Sequence, residues 1–442
     1  MESAKASVAT VSPARLETLI DQLLVARERF LTSRSLSSIL ASIDSVVVRF
    51  LDPTSEERRA AEATLPAETG LSAEMVRHTL PLIFQEYRAE KLAALLQNEL
   101  GDLAVLDNFV PAAGGQRRAY GPALITQVLA GNLPGVGLDS VIFSLLVKSA
   151  ILVKTSSSAR CLPTLFADSL ASADPQLAAC LAVVTWPGGF AALEEIAFAR
   201  VDMVLASGSD ASLAAIRPRV RGKFIGYGHK ISFSLVTKEA LADAHQLARQ
   251  AAYDAVLFDQ QGCLSPQLIY VEEGGAISPR EFASLLAQAL EQWEHILPRG
   301  TVPLEARVAI RRARDEAEWQ ALAEKDVMLH ASPEGTTWTV IYEAEPTFVP
   351  SPLYRTLRLK PLCTLDQLVS LLTPWRPYLE AAGVAASTSE DHYLADILGQ
   401  AGVSRICPIG TLQTPPLSWR HGGRPRIADL VRWIENEEGV RS

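Results

Sequence analysis

The chain has 442 residues, of which 48% are apolar and 21% are charged. At roughly 150 residues per domain this length predicts about three domain-sized units, and the apolar content excludes intrinsic disorder for most of the chain. The 41 basic and 50 acidic side chains give a net charge of −9, which argues against a protein that wraps nucleic acid. No run approaches about 20 uninterrupted apolar residues, so no membrane span is expected. Because the first residues carry no apolar signal sequence, we expect a cytoplasmic protein.

Helical periodicity covers most of the first hundred residues. The apolar residues of its first helical face are Leu16, Leu19, Ile20, Leu23 and Leu24. We interpret residues 1–104 as an all-helical segment that packs on the region C-terminal to it. A bundle that binds a partner protein is the alternative.

Short β-prone runs alternate with helical stretches from about residue 120. The predicted strands of this region are 123–129, 150–154, 181–185, 201–206 and 223–225. Strands that alternate with helices of about 10–15 residues are typical of βαβ units, which form a parallel sheet with helices on both faces.

A second α/β region begins near Gly228. Its predicted elements are strands at 231–236 and 267–271, helices at 278–297 and 304–325, and a β-rich stretch at 336–342. The tail returns to mixed α/β structure and ends in a predicted amphipathic helix at residues 427–434.

Five cysteines are scattered through the chain without a C-x-x-C pair. They are Cys161, Cys180, Cys263, Cys363 and Cys407. An odd number of dispersed cysteines argues against a disulfide framework and a zinc ribbon, and we expect no metal cofactor. Cys263 alone lies in a polar turn between an apolar run and a predicted strand, which is the setting that a catalytic thiol needs. From local context alone, an inert thiol is the alternative.

His229 precedes Cys263 in a glycine-rich turn, Gly226-Tyr227-Gly228-His229-Lys230. An imidazole in such a turn is able to act as a base toward the thiol or to hold it as a thiolate. The alternative is that His229 is an ordinary turn residue.

Two turns that follow predicted strands carry polar groups suited to a ligand. The loop at 131–137 contains Asn132, whose amide can donate to a developing oxyanion, or else cap the next helix. In open α/β sheets, ligands bind outside the carboxyl ends of the strands. The second turn places hydroxyls there beside a cation, in the order Lys154, Thr155, Ser156, Ser157. A solvated helix cap is the alternative for this turn.

A third turn, Ser207-Gly208-Ser209, opens a predicted helix. Backbone N–H groups and the positive end of a helix dipole form an anion site that suits a pyrophosphate. The alternative is a capped turn between strand and helix.

Together these motifs resemble the acyl-CoA reductase branch of the aldehyde dehydrogenase superfamily, the family of the fatty-acid reductase of bacterial luminescence. The resemblance rests on the sequences of residues 130–138 (AGNLPGVGL), 153–157 (VKTSS) and 258–267 (FDQQGCLSPQ), with 355–362 (RTLRLKPL) as a further match. It covers roughly residues 105–435.

The resemblance implies an aldehyde-dehydrogenase-like α/β fold with a helical N-terminal segment. A Rossmann-type dinucleotide-binding domain would span 105–226, a catalytic thiol domain 227–385, and a C-terminal return and oligomerisation segment 386–442. Cys263 would be the acyl-accepting nucleophile, with Asn132 and the backbone N–H of Cys263 as oxyanion hole.

In the same way, the resemblance implies that Lys154 and the hydroxyls after it hold the adenosine ribose, and that Ser207, Gly208 and Ser209 face the pyrophosphate. One departure matters, because the stretch that carries a water-activating glutamate in hydrolytic relatives is residues 226–230 here and has no carboxylate. An acyl-enzyme should therefore survive long enough for reduction. Residues 155–160 also lack an acidic group, so NADPH is the expected cofactor.

We therefore expect an NADPH-dependent reductase that converts an acyl-CoA or acyl-carrier-protein thioester, of the fatty acyl class, to the aldehyde. A homo-oligomer, dimer or tetramer, and an acyl-protein synthetase or carrier partner are expected with it. An oxidising aldehyde dehydrogenase and a non-catalytic, acyl-holding subunit are the alternatives.

Overall fold

The computed structural model describes residues 11–129, 131, 133–156, 160–388 and 390–437. Its α-helices are α1 (Pro13–Phe30), α2 (Leu36–Leu51), α3 (Glu56–Thr69), α4 (Ala73–Phe84), α5 (Ala89–Leu100), α6 (Leu138–Leu146), α7 (Cys161–Ala173), α8 (Pro175–Ala178), α9 (Ala191–Ala199), α10 (Asp210–Ile216), α11 (Ala244–Val256), α12 (Pro279–Ile296), α13 (Leu304–Leu322), α14 (Gln367–Leu372) and α15 (Asp391–Ala401). Its strands are β1 (Val110–Ala112), β2 (Gly115–Tyr120), β3 (Leu124–Val128), β4 (Ala150–Thr155), β5 (Leu181–Thr185), β6 (Met203–Ser207), β7 (Lys223–Tyr227), β8 (Ile231–Val236), β9 (Pro266–Glu272), β10 (Val327–Ala331), β11 (Thr339–Glu343), β12 (Thr356–Leu362), β13 (Leu379–Ala385), β14 (Arg405–Pro408) and β15 (Arg432–Glu437).

The helices α1 to α4 each begin at a serine. Ser12, Ser35, Ser55 and Ser72 each accept a hydrogen bond from a backbone N–H in the first helical turn, which satisfies a donor that the helix leaves free. The buried faces of these helices belong to the same apolar core as β3 and β4. Helix α2 contacts α6 and α7, so the N-terminal helices pack on the layer that covers the first sheet.

The first sheet has five parallel strands in the order β5-β4-β3-β6-β7. Val128, near the end of β3, lies opposite Lys154 of β4 on one side and Ala206 of β6 on the other. The carboxyl ends of these strands therefore meet at one edge. This edge brings together the glycine-rich loop after β3, Lys154 and Ser207.

The second sheet has seven strands in the order β10-β11-β12-β9-β8-β13-β14. All neighbouring pairs are parallel except β10 and β11. Every residue of β8, β9 and β12 is buried, as expected for central strands covered on both faces. Cys263 lies in the turn that leads into β9.

The predicted helix at residues 427–434 is wrong, because this stretch holds a single 3-10 turn at Ala428–Leu430 followed by the start of β15. β15 pairs antiparallel with β2 in a three-stranded sheet, and Glu435 lies opposite Arg117. The Arg117 guanidinium also lies 5.0 Å from the ring centroid of Trp433. Cross-strand partners that are distant in sequence outweigh a local periodicity that fits a helix.

The chain just before β15 is fastened to the N-terminal helices. Glu99 of α5 accepts backbone hydrogen bonds from Arg426, Ile427 and Ala428 at 2.9, 2.7 and 2.9 Å. Glu86 accepts another from Leu417 at 3.1 Å. Within the described ranges, no helix is long and apolar enough to span a bilayer.

Candidate active site

Cys263 lines a cleft of about 250 Å³. The cleft lies between the N-terminal helices and loops that belong to the two large sheets. One wall comes from the end of α4, with Leu82 and Ile83, and another from the loop at 133–137. The C-terminal segment supplies Leu417, Trp419, His421 and other residues of the stretch 413–426. Most of these side chains are apolar, which suits a hydrocarbon portion of a substrate.

The backbone around Cys263 is fixed while its side chain is exposed. The Gly262 N–H donates to the Ser265 hydroxyl at 3.1 Å, and the Ser265 N–H returns a bond to the Gly262 carbonyl at 3.0 Å. The Ser232 hydroxyl donates to the carbonyl of Cys263 at 2.8 Å. A thiol that faces a cleft from a rigid turn is placed to attack a bound carbonyl group.

A strained segment leads into this turn. Phe258, Asp259 and Gln260 have φ angles of 54°, 51° and 62°, a region that residues with side chains rarely adopt. Such strain persists only where surrounding contacts impose it. The Gln260 amide supplies one set, donating to the Thr356 carbonyl at 2.9 Å and accepting from the Thr356 N–H at 2.7 Å.

An ion pair supplies the second set of contacts. Arg355 Nε and Nη2 donate to Asp259 Oδ1 at 2.9 and 2.6 Å, and Arg355 Nη1 lies 2.6 Å from Glu294. Arg355 itself has a φ of 62°. The pair therefore joins two left-handed backbone segments behind the thiol.

The folded protein raises the pKa of the Cys263 thiol. Desolvation raises this pKa to about 12, and the carboxylate of Glu380 adds to the shift. Backbone N–H groups of Cys263 and Leu264 and the charge of Lys230 oppose it. Because only the thiolate is nucleophilic, the thiol requires a group that removes its proton.

Lys154 is buried at the carboxyl end of β4, and its Nζ lies 6.0 Å from the ring centroid of Trp186. Burial lowers the pKa of Lys154, and the nearby charge of Glu194 opposes that shift. Glu194 is itself ion-paired with Arg219. The cation at this edge is therefore only partly compensated, which suits an oxygen-rich or anionic ligand.

The residues that follow Lys154 differ in their surroundings. Thr155 is buried, and its hydroxyl lies 2.6 Å from that of Thr185. Ser156 Oγ lies 3.5 Å from the Gly131 carbonyl, so the first two predicted turns do meet. Asn132 and Ser157 lie outside the described residues.

In the third turn, only Ser207 lines the cleft with Cys263. The Gly208 N–H donates to the Tyr227 carbonyl at 3.1 Å. The Ser209 hydroxyl accepts from the Ser212 N–H at 3.2 Å and caps α10. Of the three residues predicted to face a pyrophosphate, Gly208 and Ser209 thus use these groups for hydrogen bonds within the protein.

His229 does not line the cleft that holds Cys263. Its side chain is exposed, its backbone N–H donates to Asp210 at 3.3 Å, and its ring lies 6.2 Å from that of Tyr378. Among the residues that the structure describes, the imidazole that lines the cleft belongs to His421. Its glycine-rich context was the signal in the sequence, but only the fold connects it with Cys263.

The α4 wall of the cleft carried no such signal. Gly135 has a φ of +82°, and a Cβ there would lie 2.9 Å from Ile83 Cγ2. The helix therefore packs directly on the glycine-rich loop. Helical periodicity identifies α4 but does not say which element it covers.

Solved structures with this architecture place the chain in a class. Aldehyde dehydrogenase 21 of Physcomitrella patens has a TM-score of 0.75 at 12% identity over 98% of this chain and 92% of its own. Glyceraldehyde-3-phosphate dehydrogenase GapN of Methanocaldococcus jannaschii has a TM-score of 0.71 at 12% identity over 97% and 95%. The predicted fold class is confirmed: the chain has the α/β fold of the aldehyde dehydrogenases.

Sequence comparison narrows the class. The model of the family described as acyl-CoA reductase (LuxC) matches residues 31–433, and the chain belongs to that family. A long-chain acyl-protein thioester reductase of Aliivibrio fischeri is 24% identical over 413 residues, which cover 91% of this chain and 82% of that protein. Its counterpart in Photorhabdus luminescens is 26% identical over 361 residues, or 78% and 70%. The protein is thus an oxidoreductase that acts on acyl groups.

Proposed function

We propose that this protein reduces a fatty acyl thioester to the aldehyde with NADPH, through an acyl-enzyme on Cys263. The observation that carries the proposal is the exposed thiol on a fixed turn, in a largely apolar cleft that reaches Ser207 at the edge of the first sheet. The relatives named as long-chain acyl-protein thioester reductases support a fatty acyl donor. Acyl-CoA and acyl-carrier protein are the two donors to be compared.

The chain's own groups account for the acylation half of the reaction. Cys263 attacks the thioester carbonyl, and the oxyanion is held by the backbone N–H of Cys263 together with Asn132. Removal of one oxyanion donor typically costs about 10²–10³ in rate. NADPH, when bound, supplies the hydride that converts the acyl group to the aldehyde.

The edge of the first sheet fits an anionic nucleotide. Lys154 is buried there with only partial compensation, and Arg160 is exposed nearby in sequence. Residues 155–160 contain no carboxylate that would repel a 2′-phosphate, and Glu194 is paired with Arg219. Proteins of the same fold were solved in complex with NADP and with NAD+, so the fold supports a nicotinamide cofactor without choosing between the two. The charges at residues 155–160 support NADPH over NADH, and we propose that residues 105–226 bind the cofactor.

Hydrolysis of the acyl-enzyme is disfavoured by the composition of one turn. Residues 226–230, at the end of β7 and in the loop after it, hold no carboxylate that would activate water, and Tyr227 lines the cleft. We propose that the acyl group persists on Cys263 until it is reduced. We include in the proposal a homo-oligomer, since β15 presents a largely exposed edge for pairing, and an acyl-transferring partner protein.

The test uses the full chain with a panel of acyl-CoA and acyl-carrier-protein thioesters and NADPH. We expect loss of NADPH absorbance, aldehyde product and acylated Cys263 by mass spectrometry. Cys263→Ala should abolish all three, while Cys363→Ala, at the other exposed cysteine, should leave them intact. Aldehyde formation that persists in Cys263→Ala would refute the mechanism. Conversion of aldehyde and NADP to free acid without CoA would favour an oxidising dehydrogenase, and acylation without reduction an acyl-holding subunit.

A further inference from the structure

A buried carboxylate lies behind the cleft. Glu380 of β13 is fully buried, and its Oε1 accepts hydrogen bonds from the Gly422 N–H and the Ser404 hydroxyl, both at 2.8 Å. Its Oε2 is buried without a hydrogen-bond partner among the described residues, and Lys230 Nζ lies 3.9 Å away. A buried carboxylate oxygen without a partner is costly, so its presence calls for an explanation.

One side of Glu380 is tied to the thiol turn. The Ser232 hydroxyl donates to the Cys263 carbonyl at 2.8 Å and accepts from the Ala381 N–H at 3.2 Å. Ala381 follows Glu380 directly in β13. The strand that carries the carboxylate therefore shares a hydrogen-bonding group with the residue that carries the thiol.

The other side of Glu380 is bonded to the backbone next to a histidine. Glu380 accepts a hydrogen bond from the backbone N–H of Gly422, which directly follows His421. The His421 ring is held between Tyr227, at a centroid distance of 4.5 Å, and Trp419, at 4.9 Å. His421 lines the same cleft as Cys263, whereas Glu380 does not.

We propose that His421 exchanges protons with Cys263 and with the leaving thiol, and that Glu380 is the positioning residue for His421. This inference rests on the proposed function, because it concerns the acylation of Cys263. It replaces His229 in that role, since His229 is outside the cleft lining.

The proton balance of the reaction defines the role. Neutral His421 takes the S–H proton of Cys263, the sulfur bonds to the thioester carbonyl carbon, and the bond from that carbon to the donor sulfur breaks. The leaving thiolate takes the proton from His421. After hydride from NADPH reaches the acyl carbon, the bond to Cys263 breaks, aldehyde leaves, and the Cys263 thiolate takes one proton from solvent through His421. One hydride and one proton are consumed per aldehyde.

The electrostatic surroundings are consistent with a base. Burial lowers the pKa of His421, which keeps the imidazole neutral and able to accept a proton at neutral pH. Glu380 and Asp139 oppose that shift, and they would stabilise the imidazolium once it forms. The charged and titratable groups that face His421 are Glu380, Asp139, Arg426, Lys230 and Tyr227.

The experiment follows acylation of Cys263 in the full chain without any nicotinamide. The best acyl-CoA of the panel is mixed with enzyme across pH 6–9, and CoA release is measured by rapid quench. His421→Ala should lower the acylation rate by about 10²-fold or more, as is typical for loss of a general base. Free imidazole should restore part of that rate in His421→Ala, which a purely structural role would not allow. Glu380→Gln should shift the pH profile of acylation.

Controls separate the possible failures. His295→Asn, at an exposed site on α12, should leave the rate unchanged. A wild-type acylation rate in His421→Ala, or a loss of rate that imidazole does not restore, would overturn the inference. A pH profile of acylation that changes in His229→Asn but not in Glu380→Gln would overturn it too. If wild-type Cys263 is never acylated, the proposed function fails instead. If Glu380→Gln does not fold, the imidazole arm alone decides.

Discussion

Arg355 and Asp259 form an ion pair whose side chains are 1% and 2% exposed, with Nη2 2.6 Å from Oδ1. Both residues lie in left-handed backbone segments, at 353–355 and 258–260. Because the second segment leads directly into the turn of Cys263, the pair connects the stability of the second sheet with the position of the thiol.

Arg355→Met should destabilise the protein strongly. It leaves Asp259 buried without its counter-charge, and breaking a buried pair in this way typically costs about 3–5 kcal/mol. Urea unfolding measures the loss, and the rate of Cys263 acylation reports the displaced turn. Arg311→Met breaks a pair with Asp315 whose side chains are 62% and 55% exposed, and should cost no more than about 1 kcal/mol. Equal losses in the two variants would contradict this account.

Gly135→Ala should cost more stability than Gly189→Ala. The two glycines have φ of +82° and +84°, so both variants carry the same backbone strain. Only at Gly135 does the new Cβ meet Ile83 Cγ2, at 2.9 Å, and such overpacking adds about 1–3 kcal/mol. Thermal unfolding compares the variants. If Ile83→Ala does not remove most of the difference when combined with Gly135→Ala, the close packing of α4 on the loop is not its cause.

Lys154→Met tests whether the carboxyl edge of the first sheet binds the nucleotide. Methionine keeps a buried aliphatic side chain but removes the ammonium group that would donate a hydrogen bond to the cofactor. Such a hydrogen bond is worth about 1.5–3 kcal/mol. The KM for NADPH should rise by about 10-fold or more. Acylation of Cys263 should not change, because it needs no cofactor. Lys325→Met, at an exposed position, serves as the control. An unaltered KM in Lys154→Met would remove this lysine from the site.

The surroundings of Asp174 predict that the free energy of unfolding depends on pH. Although burial alone would raise its pKa, hydrogen bonds from Arg34, Ser42 and the Leu177 N–H lower the pKa of Asp174 to about 2. A carboxyl with a lowered pKa in the folded state stabilises the protein above its unfolded value of 3.8, and this contribution disappears as the pH falls from about 4 to about 2.

Asp174→Asn should therefore cost about 2 kcal/mol near neutral pH, and the difference from wild type should shrink toward pH 2. Urea unfolding at several pH values measures this difference. Asp315→Asn, on the exposed face of α13, should give a small change at every pH. A deficit in Asp174→Asn that does not depend on pH would show that the carboxylate charge is not responsible.

Elements with a strong local pattern were predictable from the sequence. The strand predicted at residues 231–236 coincides with β8, because a buried parallel strand is apolar throughout its length. β15 was not predictable, since its conformation depends on pairing with β2. The same reason applies to the site. Cys263 stands out by its own turn, whereas its relation to His421, Glu380 and the α4 wall arises from contacts between residues far apart in sequence.

The hydrogen bonds that Glu99 accepts from the backbone of residues 426–428 indicate when the cleft closes during folding. During synthesis the thiol turn and the strands β3, β4 and β6 emerge well before the segment at 413–426 that lines the cleft. A nascent chain is therefore expected to hold an open, water-filled groove at Cys263 until this late segment docks on α5. Acylation of Cys263 would then report the last step of folding, and a ribosome-bound chain stalled before residue 413, which lacks His421, should fail to become acylated.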